Sequence, residues 1–257
     1  MDTGLLGRTA LVGGSTSGLG LAVGRALAAE GADVVLSGRR GDTAATEAAR
    51  LPSAIGVEVD LTTADGAENL VDSAASRFGP VEVLVLGGGG PKPGAAIAAT
   101  VDDIATAVND LLLAQVRLVS LVLPGMRERG WGRIVGIGSS GVQQPLDNLV
   151  LSNMARSALA AYLKTLAAEV AGDGVTVNMV LPGRIDTERV ASLDQAAAQR
   201  QGLDVSEVRQ RSRALIPTGR YGTPEEFAAV VVFLCSNAAS YVTGEQIRCD
   251  GGLVRSF

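Results

Sequence analysis

Seven short runs rich in valine, isoleucine and leucine are spaced along the chain, and a longer stretch with helical character follows nearly every one of them. We expect strands at Thr9–Val12, Asp33–Leu36, Ala54–Glu58, Val83–Leu86, Arg133–Ile137, Val175–Val180 and Gln246–Cys249. Runs that are apolar on both faces are typical of strands in a parallel sheet, because helices then cover both sides of that sheet. The alternation predicts an α/β fold with a doubly wound, seven-stranded parallel sheet.

The helical stretches show how the chain is organised. They are expected at Leu19–Glu30, Asp42–Arg50, Ala64–Phe78, Val101–Arg129, Ser152–Ala171 and Pro224–Ser236. No linker divides the chain, since the glycine-rich turns fall at strand ends, so residues 1–257 are expected to form a single Rossmann-type domain. Residues 184–221 are polar, rich in arginine and longer than an ordinary connection, which predicts a substrate lid.

The composition excludes several classes of function. The chain has no histidine, which excludes a Ser-His-Asp triad and nearly every zinc hydrolase site, and no metal is expected. Its net charge of −5 argues against a nucleic-acid partner. Cys235 and Cys249 lack metal-ligand or CxxC spacing, as expected of a reduced cytoplasmic chain. Met1–Arg8 does not resemble a signal peptide, and the apolar run Phe227–Cys235 is too short to span a bilayer, so no membrane partner is expected.

Glycines mark the turn between the first expected strand and the helix after it. They stand at positions 14, 18 and 20 of Gly13-Gly14-Ser15-Thr16-Ser17-Gly18-Leu19-Gly20, a G-x-x-x-G-x-G spacing. Such a loop lets backbone amides approach a pyrophosphate at a helix N-terminus. The residues expected to bind a dinucleotide here are Gly14, Ser15, Ser17, Gly18, Leu19 and Gly20. Glycine-rich turns also occur for packing reasons alone.

The end of the second expected strand indicates which dinucleotide would bind. NAD-binding Rossmann proteins place an acidic residue near this point to bond the ribose 2′-hydroxyl. Gly38 stands there instead, followed by Arg39 and Arg40. Because guanidinium groups suit a 2′-phosphate, the sequence favours NADP(H) over NAD(H), unless both arginines are merely solvated. After the third strand, Asp60 and Leu61 are expected beside the adenine ring.

Several motifs in order resemble the short-chain dehydrogenase/reductase family over residues 7–254. The glycine loop is similar to the family's T-G-x-x-x-G-x-G, and Pro182-Gly183-Arg184-Ile185-Asp186-Thr187 is similar to its P-G-x-I-x-T. The resemblance implies cofactor contacts at Asp60, Gly87, Gly88, Arg156, Pro182, Gly183, Ile185 and Thr187. Ile185 and Thr187 would face the nicotinamide carboxamide and the phosphates. The resemblance also implies a homotetramer or homodimer, in which helices at Leu111–Met126 and Ser157–Val170 and the C-terminal Gly251–Phe257 supply interfaces. Alternatively, these helices bury their apolar faces within one subunit.

The catalytic group of that family is altered in this chain. The family uses Asn, Ser, Tyr and Lys, and the corresponding positions here are Leu111, Ser139, Ser152 and Arg156. The helix after Ser152 aligns without a gap, which fixes this correspondence. A serine hydroxyl is a far weaker acid than a phenol, and an arginine does not readily release its proton, so neither replaces the Tyr-Lys couple. Ser139, Ser152 and Arg156 are therefore the candidate catalytic residues.

Three functions are compatible with this pattern. The first is an atypical NADP(H)-dependent reductase of a carbonyl, enone or imine, since the cofactor supplies the hydride and an ordered water held by Ser139 and Ser152 could supply the proton. The second is a non-redox catalyst of cyclisation, isomerisation or dehydration, and the third is a catalytically silent nucleotide-binding subunit. The intact glycine loop favours the first. Gln143, Gln144 and Arg184 are candidate substrate contacts, although ordinary surface polarity also explains them.

Overall fold

The computed structural model describes residues 3–256 and shows one parallel sheet of seven strands. The strands are β1 Thr9–Val12, β2 Asp33–Gly38, β3 Ala54–Glu58, β4 Val83–Leu86, β5 Gly132–Ile137, β6 Val175–Pro182 and β7 Gln246–Cys249. Their spatial order is β3-β2-β1-β4-β5-β6-β7. The predicted fold and all seven predicted strands are confirmed. The order reverses between β1 and β4, and ligands of such sheets bind beside the carboxyl ends of the strands at this switch point.

Alternate residues of the central strands feed two apolar cores, one on each face of the sheet. Leu11 and Leu84 belong to one core, whereas Ala10, Val12 and Val83 belong to the other. This period of two follows from strand geometry, and it explains why β1 and β4 are buried along their whole length. The sheet is therefore rigid, and the loops of the site follow the carboxyl ends of its strands.

Nine α-helices lie in the described part of the chain. They are α1 Gly18–Ala29, α2 Gly41–Ala48, α3 Ala64–Phe78, α4 Val101–Val108, α5 Ala114–Glu128, α6 Val150–Val170, α7 Glu188–Gln201, α8 Val205–Leu215 and α9 Pro224–Cys235. Helices α3, α5 and α6 supply residues to one core, and α1 and α9 to the other. Two helices, α7 and α8, occupy the segment that the sequence predicts as a lid.

The single helix expected at Val101–Arg129 has an irregular centre. A turn of π-helix at Asn109–Leu113 joins α4 to α5, and Leu111 within it is buried. Such turns widen the backbone and often lie at functional sites. By length and composition alone, residues 101–128 could cross a membrane, which is weak evidence because core helices meet the same criterion. Within this fold, α5 packs against α3.

Candidate active site

The glycine loop between β1 and α1 lies at the switch point of the sheet. Gly14 and Gly18 have φ angles of 60° and 57°, which favour glycine over other residues. A Cβ added at Gly20 would lie 2.6 Å from the Gly14 carbonyl oxygen, and one at Gly14 would lie 3.0 Å from the Cα of Gly88. The loop therefore needs its glycines for close backbone approach, and Gly88 faces the loop from the end of β4.

The first turn of α1 has features that favour the binding of an anion. Within the described residues, Ser17 at the N-cap makes no side-chain capping bond, and the first turn contains no acidic residue. The first amides of a helix lack intrahelical partners, and the helix dipole favours negative charge there. Gly89, which follows Gly88 after β4, is exposed, and a Cβ built on it would meet open space. These features fit a dinucleotide pyrophosphate across the loop.

Ser15 differs from the other loop residues because it turns into the protein. Its hydroxyl donates to the Val12 carbonyl at 2.7 Å and accepts from the Ser37 amide at 2.8 Å, and its own amide donates to the Ser37 carbonyl. The residue is fully buried. Ser15 thus ties the loop to β2, while its predicted contact with a cofactor stays a prediction.

Two arginines follow β2 beside the loop. The Nη2 atom of Arg40 donates to Thr16 Oγ1 at 3.0 Å and to Ser17 Oγ at 2.9 Å, so its guanidinium lies over the loop. Arg39 is exposed. The backbone amide and the hydroxyl of Thr62 hold the pKa of Asp60 below its usual value, and the charge of Arg39 adds to this effect. The structure therefore brings Arg39, Arg40 and Asp60 to one rim of the cleft.

The predicted P-G-x-I-x-T segment lies across the cleft from the glycine loop. The Thr187 methyl group is 3.9 Å from the position that a Cβ on Gly18 would take. Thr187 also caps α7, because its hydroxyl oxygen accepts from the Val190 amide. Ile185 is buried and pairs with Gly222 in an isolated parallel bridge. Thr187 therefore lies beside the glycine loop, while the predicted contacts of Ile185 and Thr187 with the cofactor stay predictions.

Ser139, Ser152 and Arg156, the predicted catalytic residues, lie where β5 ends and α6 begins. Ser139 follows β5, and its Oγ accepts from the Gly141 amide at 3.1 Å, which leaves its hydroxyl proton available to a ligand. Ser152 lies in the first turn of α6, where among residues 3–256 no hydrogen bond engages its hydroxyl. One helical turn later, the Nη1 atom of Arg156 donates to the Ile137 carbonyl at the end of β5. The two hydroxyls and the guanidinium thus come from β5 and α6, as the family alignment predicts.

Asn153 is a site residue that sequence reasoning missed. Its Nδ2 donates to the Leu146 carbonyl at 2.9 Å, and its Oδ1 accepts from the Leu146 amide at 3.3 Å. The same Oδ1 would lie 2.4 Å from a Cβ on Gly141. Asn153 therefore holds the loop after Ser139 against the first turn of α6. Sequence reasoning selected its neighbour Ser152, because Ser152, unlike Asn153, corresponds to a catalytic position of the family.

Gln115 is a second residue that was missed. Its Nε2 donates to the Gly87 carbonyl at 3.4 Å and lies 3.6 Å from where a Cβ on Gly88 would stand. Within the described residues its buried Oε1 has no hydrogen-bond partner. Leu111, one turn earlier, packs with Ala107 in a separate apolar cluster. Gln115 thus presents an amide beside the loop after β4.

The π-helical turn also accounts for Asn109, which lies near the family's asparagine position in the sequence. Its Nδ2 donates to the Thr62 carbonyl at 3.1 Å, and its Oδ1 accepts from Arg117 at 3.2 and 3.3 Å. The amide of Asn109 is therefore engaged with the end of β3 and with α5.

Three ion pairs lie within residues 184–221, the segment that the sequence predicts as a lid. Arg184 forms an ion pair with Asp194 at 3.0 Å, and the Tyr221 hydroxyl donates to the other oxygen of that buried carboxylate at 3.1 Å. A substrate contact by Arg184, which stays a prediction, would have to compete with this pair. Gln143 and Gln144 are exposed beyond Ser139. Their predicted substrate contacts likewise stay predictions.

Arg189 is the lid cation that reaches the cleft. Its Nη2 donates to the Pro91 carbonyl at 2.7 Å, and a Cβ on Gly90 would lie 2.7 Å from its Nε. Burial lowers the pKa of Arg156 to about 10, and the charge of Arg189 is a smaller cause of that shift. Arg156 consequently stays protonated at neutral pH, and a second guanidinium lies close enough to repel it.

Comparisons with known proteins agree with this geometry. Residues 14–254 match the family described as enoyl-(acyl carrier protein) reductase. A D-beta-hydroxybutyrate dehydrogenase of Cupriavidus necator is 35% identical over 97% of this chain and 99% of that relative. The crystal structure of L-sorbose reductase from Gluconobacter frateurii, complexed with NADPH and L-sorbose, has a TM-score of 0.94 at 34% identity and full coverage of both chains.

A further solved structure, an actinorhodin polyketide ketoreductase with NADPH, has a TM-score of 0.93 at 33% identity and covers 97% of this chain and 98% of that one. The family match spans nearly the whole sequence, and the named relatives are dehydrogenases and reductases. On the evidence of fold, cleft and relatives together, this chain belongs to the short-chain dehydrogenase/reductase family of oxidoreductases.

Proposed function

We propose that this protein is an NADP(H)-dependent reductase of a carbonyl, enone or imine that works without the Tyr-Lys acid of its family. The observation that carries the proposal is the glycine loop, whose bare backbone and unpaired helix N-terminus fit a dinucleotide pyrophosphate. A protein with no use for a cofactor would have no need of glycines at three positions where a Cβ is strained or would collide.

The choice of NADP(H) rests on charge at the end of β2. Arg39 and Arg40 stand where an acidic residue would select NAD(H), and a guanidinium is the group that best matches a phosphate. Two structurally similar proteins are described with NADPH bound, which supports the same choice. Arg39, with its guanidinium exposed at the rim, is the residue proposed to bind the 2′-phosphate.

Bound NADPH would supply the hydride, and the residues of this chain would position the acceptor and its proton. Ser139 would donate its hydroxyl proton in a hydrogen bond to the acceptor oxygen, where negative charge develops as the hydride arrives. Ser152 would hold an ordered water that gives that oxygen its proton. Arg156, a cation at neutral pH, would bond hydroxyl or anionic groups instead of releasing a proton.

The cofactor assignment is tested by titrating the protein with NADPH and NADH while following nucleotide fluorescence. We expect NADPH to bind at least about tenfold more tightly, a difference of roughly 1.4 kcal/mol. Arg39→Ala should remove most of this preference. Arg50→Ala is the matched control, because Arg50 is an exposed arginine that pairs with Glu47 beyond α2. Equal affinity for both nucleotides in the wild type would refute the assignment.

The reaction is tested by screening ketones, enones and imines for NADPH consumption. Transfer of deuterium from reduced cofactor, labelled at the nicotinamide C4, to the product would establish hydride transfer. If NADPH binds tightly but substrates are converted without its oxidation, the protein is a non-redox catalyst. Tight binding with no conversion of any compound would favour the silent subunit.

A further inference from the structure

Two guanidinium groups at the reaction end of the cleft have neutral partners only. Arg156 donates to the Ile137 carbonyl, and Arg189 donates to the Pro91 carbonyl. Within residues 3–256, no carboxylate lies within 4.0 Å of either group. A carbonyl oxygen orients a guanidinium but does not neutralise its charge.

Four other arginines of the predicted lid form ion pairs. Arg184 pairs with Asp194, Arg209 with Asp186, Arg211 with Glu207 and Arg220 with Glu226. Each of these ion pairs is internal to the lid or joins it to α9. Arg200 and Arg213 form no ion pair among the described residues either, but both are exposed to water, whereas Arg156 and Arg189 are partly buried.

The backbone holds these two arginines close enough together for the charge of Arg189 to act on Arg156. Arg189 lies in the first turn of α7 and fastens the loop after β4. That loop also reaches the beginning of α6, where the Gly94 amide donates to the Asn148 carbonyl at 2.7 Å. Arg156 comes from the second turn of α6, one turn beyond Ser152. Arg156 thus lies at the end of β5, which Ser139 follows, and Arg189 lies at the loop after the neighbouring strand β4.

Two neighbouring guanidinium charges are electrostatically unfavourable unless an anion lies between them. Desolvation disfavours a charged guanidinium, and a second positive charge nearby disfavours it further. Burial also lowers the pKa of Arg189, so both groups are partly withdrawn from water. A carboxylate between them would form charge-assisted hydrogen bonds with both and would remove the repulsion.

The cofactor's own phosphates already have other sites. The pyrophosphate would lie on the glycine loop and the first turn of α1, and the 2′-phosphate beside Arg39. Arg156 lies at the opposite end of the cleft, at the end of β5 and beside the candidate catalytic hydroxyls. An anion held there would belong to the molecule that is reduced.

We propose that Arg156 and Arg189 form a subsite for a carboxylate on the substrate, so that the protein acts on oxo acids or unsaturated acids in preference to neutral compounds. The inference rests on the proposed reductase function and adds a substrate class to it. Arg189 would act from the lid, so that binding of the acid also fastens α7 over the cleft.

The test is calorimetric titration of the protein, saturated with NADP⁺, with oxo acids from 2-oxobutanoate to 5-oxohexanoate and with the methyl ester of each. We expect at least one acid to bind about tenfold or more tightly than its ester. Arg189→Gln should abolish that difference while leaving NADP⁺ affinity unchanged. Arg200→Gln is the matched control, because it removes an exposed arginine from the far end of the same helix and should keep the preference.

Each outcome decides the proposal. Equal binding of acids and esters throughout the series would overturn it, and so would an Arg189→Gln variant that loses NADP⁺ affinity instead of acid affinity. Arg189→Lys, which keeps the charge, should retain part of the preference even if Arg189→Gln proves unstable. If the protein binds no NADP⁺ yet still prefers acids through Arg189, the reductase function fails and the carboxylate subsite stands.

Discussion

At the scale of single residues, the altered catalytic group predicts an unequal dependence on its two serines. Ser139→Ala should lower kcat/KM by about 100- to 1000-fold, since losing such a donor costs ~2.7–4 kcal/mol of transition-state stabilisation. Ser152→Ala should cost about tenfold or less, because a water can move into the space it leaves. Ser120→Ala is the control, since Ser120 is exposed on α5 and bonds its own helix. Steady-state kinetics on any reduced substrate would compare them, and full activity in Ser139→Ala would exclude the polarising role.

We expect the buried charge of Arg156 to lower the stability of the fold and to raise the affinity for an anion. Burial lowers its pKa to about 10 in the folded protein, so between pH 10 and the ordinary pKa of arginine the unfolded chain binds more protons and stability rises with pH. Below about pH 10 the buried charge costs stability. Arg156→Met should therefore raise the free energy of unfolding by roughly 1 kcal/mol, or Tm by about 2–4 °C. This is the net change, because the variant also loses the hydrogen bond to Ile137.

This gain should be seen in the ligand-free protein at neutral pH and should fade as the pH rises through 10. Thermal unfolding between pH 7 and pH 11 measures both effects. A Tm that falls at neutral pH would mean that Arg156 supports the fold and that its charge carries no net cost. The anion affinity of the same variant should decrease, which a purely structural role would not produce.

Some residues of the candidate site could be predicted from the sequence, and others could not. The glycine loop, Arg39, Arg40, Ser139, Ser152 and Arg156 could be predicted because each stands at a position that the family's spacing defines. Gln115, Asn153 and Arg189 follow no such spacing. Their importance comes from contacts with Gly87, Leu146 and Pro91, which lie 7 to 98 residues away in the chain. Only the folded arrangement brings these groups together.

At the scale of elements, the strands could be predicted almost to the residue, whereas α7 and α8 could not. Buried strands carry a continuous apolar signal, but the two lid helices are polar and expose most of their surface. Their ends are set by side-chain caps at Thr187 and Asp204. The π-helical turn at Asn109–Leu113 was also missed, because nothing in the apolar pattern of the long helix distinguishes one wider turn.

The lid predicts a local loss of stability when its buried carboxylate is removed. Asp194 is fully buried and accepts from both Arg184 and Tyr221. Asp194→Asn leaves Arg184 without a counter-charge, which should cost on the order of 2 kcal/mol because Arg184 is still partly solvated. We expect faster tryptic cleavage within residues 184–221 and less change in global unfolding. Asp186→Asn is the control, since Asp186 forms an exposed pair with Arg209 and should have little effect.

At the scale of the whole molecule, apolar side chains on the outside bear on the predicted assembly. Helix α6 buries eight residues within the subunit, which partly supports the alternative that these helices serve one subunit alone. Helix α5 nevertheless exposes Leu121 at 39%, Leu113 just before it is 42% exposed, and α9 exposes Phe233 at 43%. The predicted C-terminal interface ends at Phe257, which lies outside the described residues. Two separate faces thus carry exposed apolar groups, as a tetramer with two kinds of interface would require.

Light scattering at micromolar concentration tests this assembly, for which we expect a mass near four times 26.1 kDa. A glutamate at the centre of an apolar interface loses its hydration without gaining a partner, so Leu121→Glu should dissociate the tetramer into dimers through the α5 face. Phe233→Glu should do the same through α9, and the double variant should yield monomers. Leu6→Glu is the control, because Leu6 is 84% exposed, lies on neither α5 nor α9, and should leave the mass unchanged. A wild-type mass of one subunit would show that α5 and α6 bury their apolar faces within a single chain.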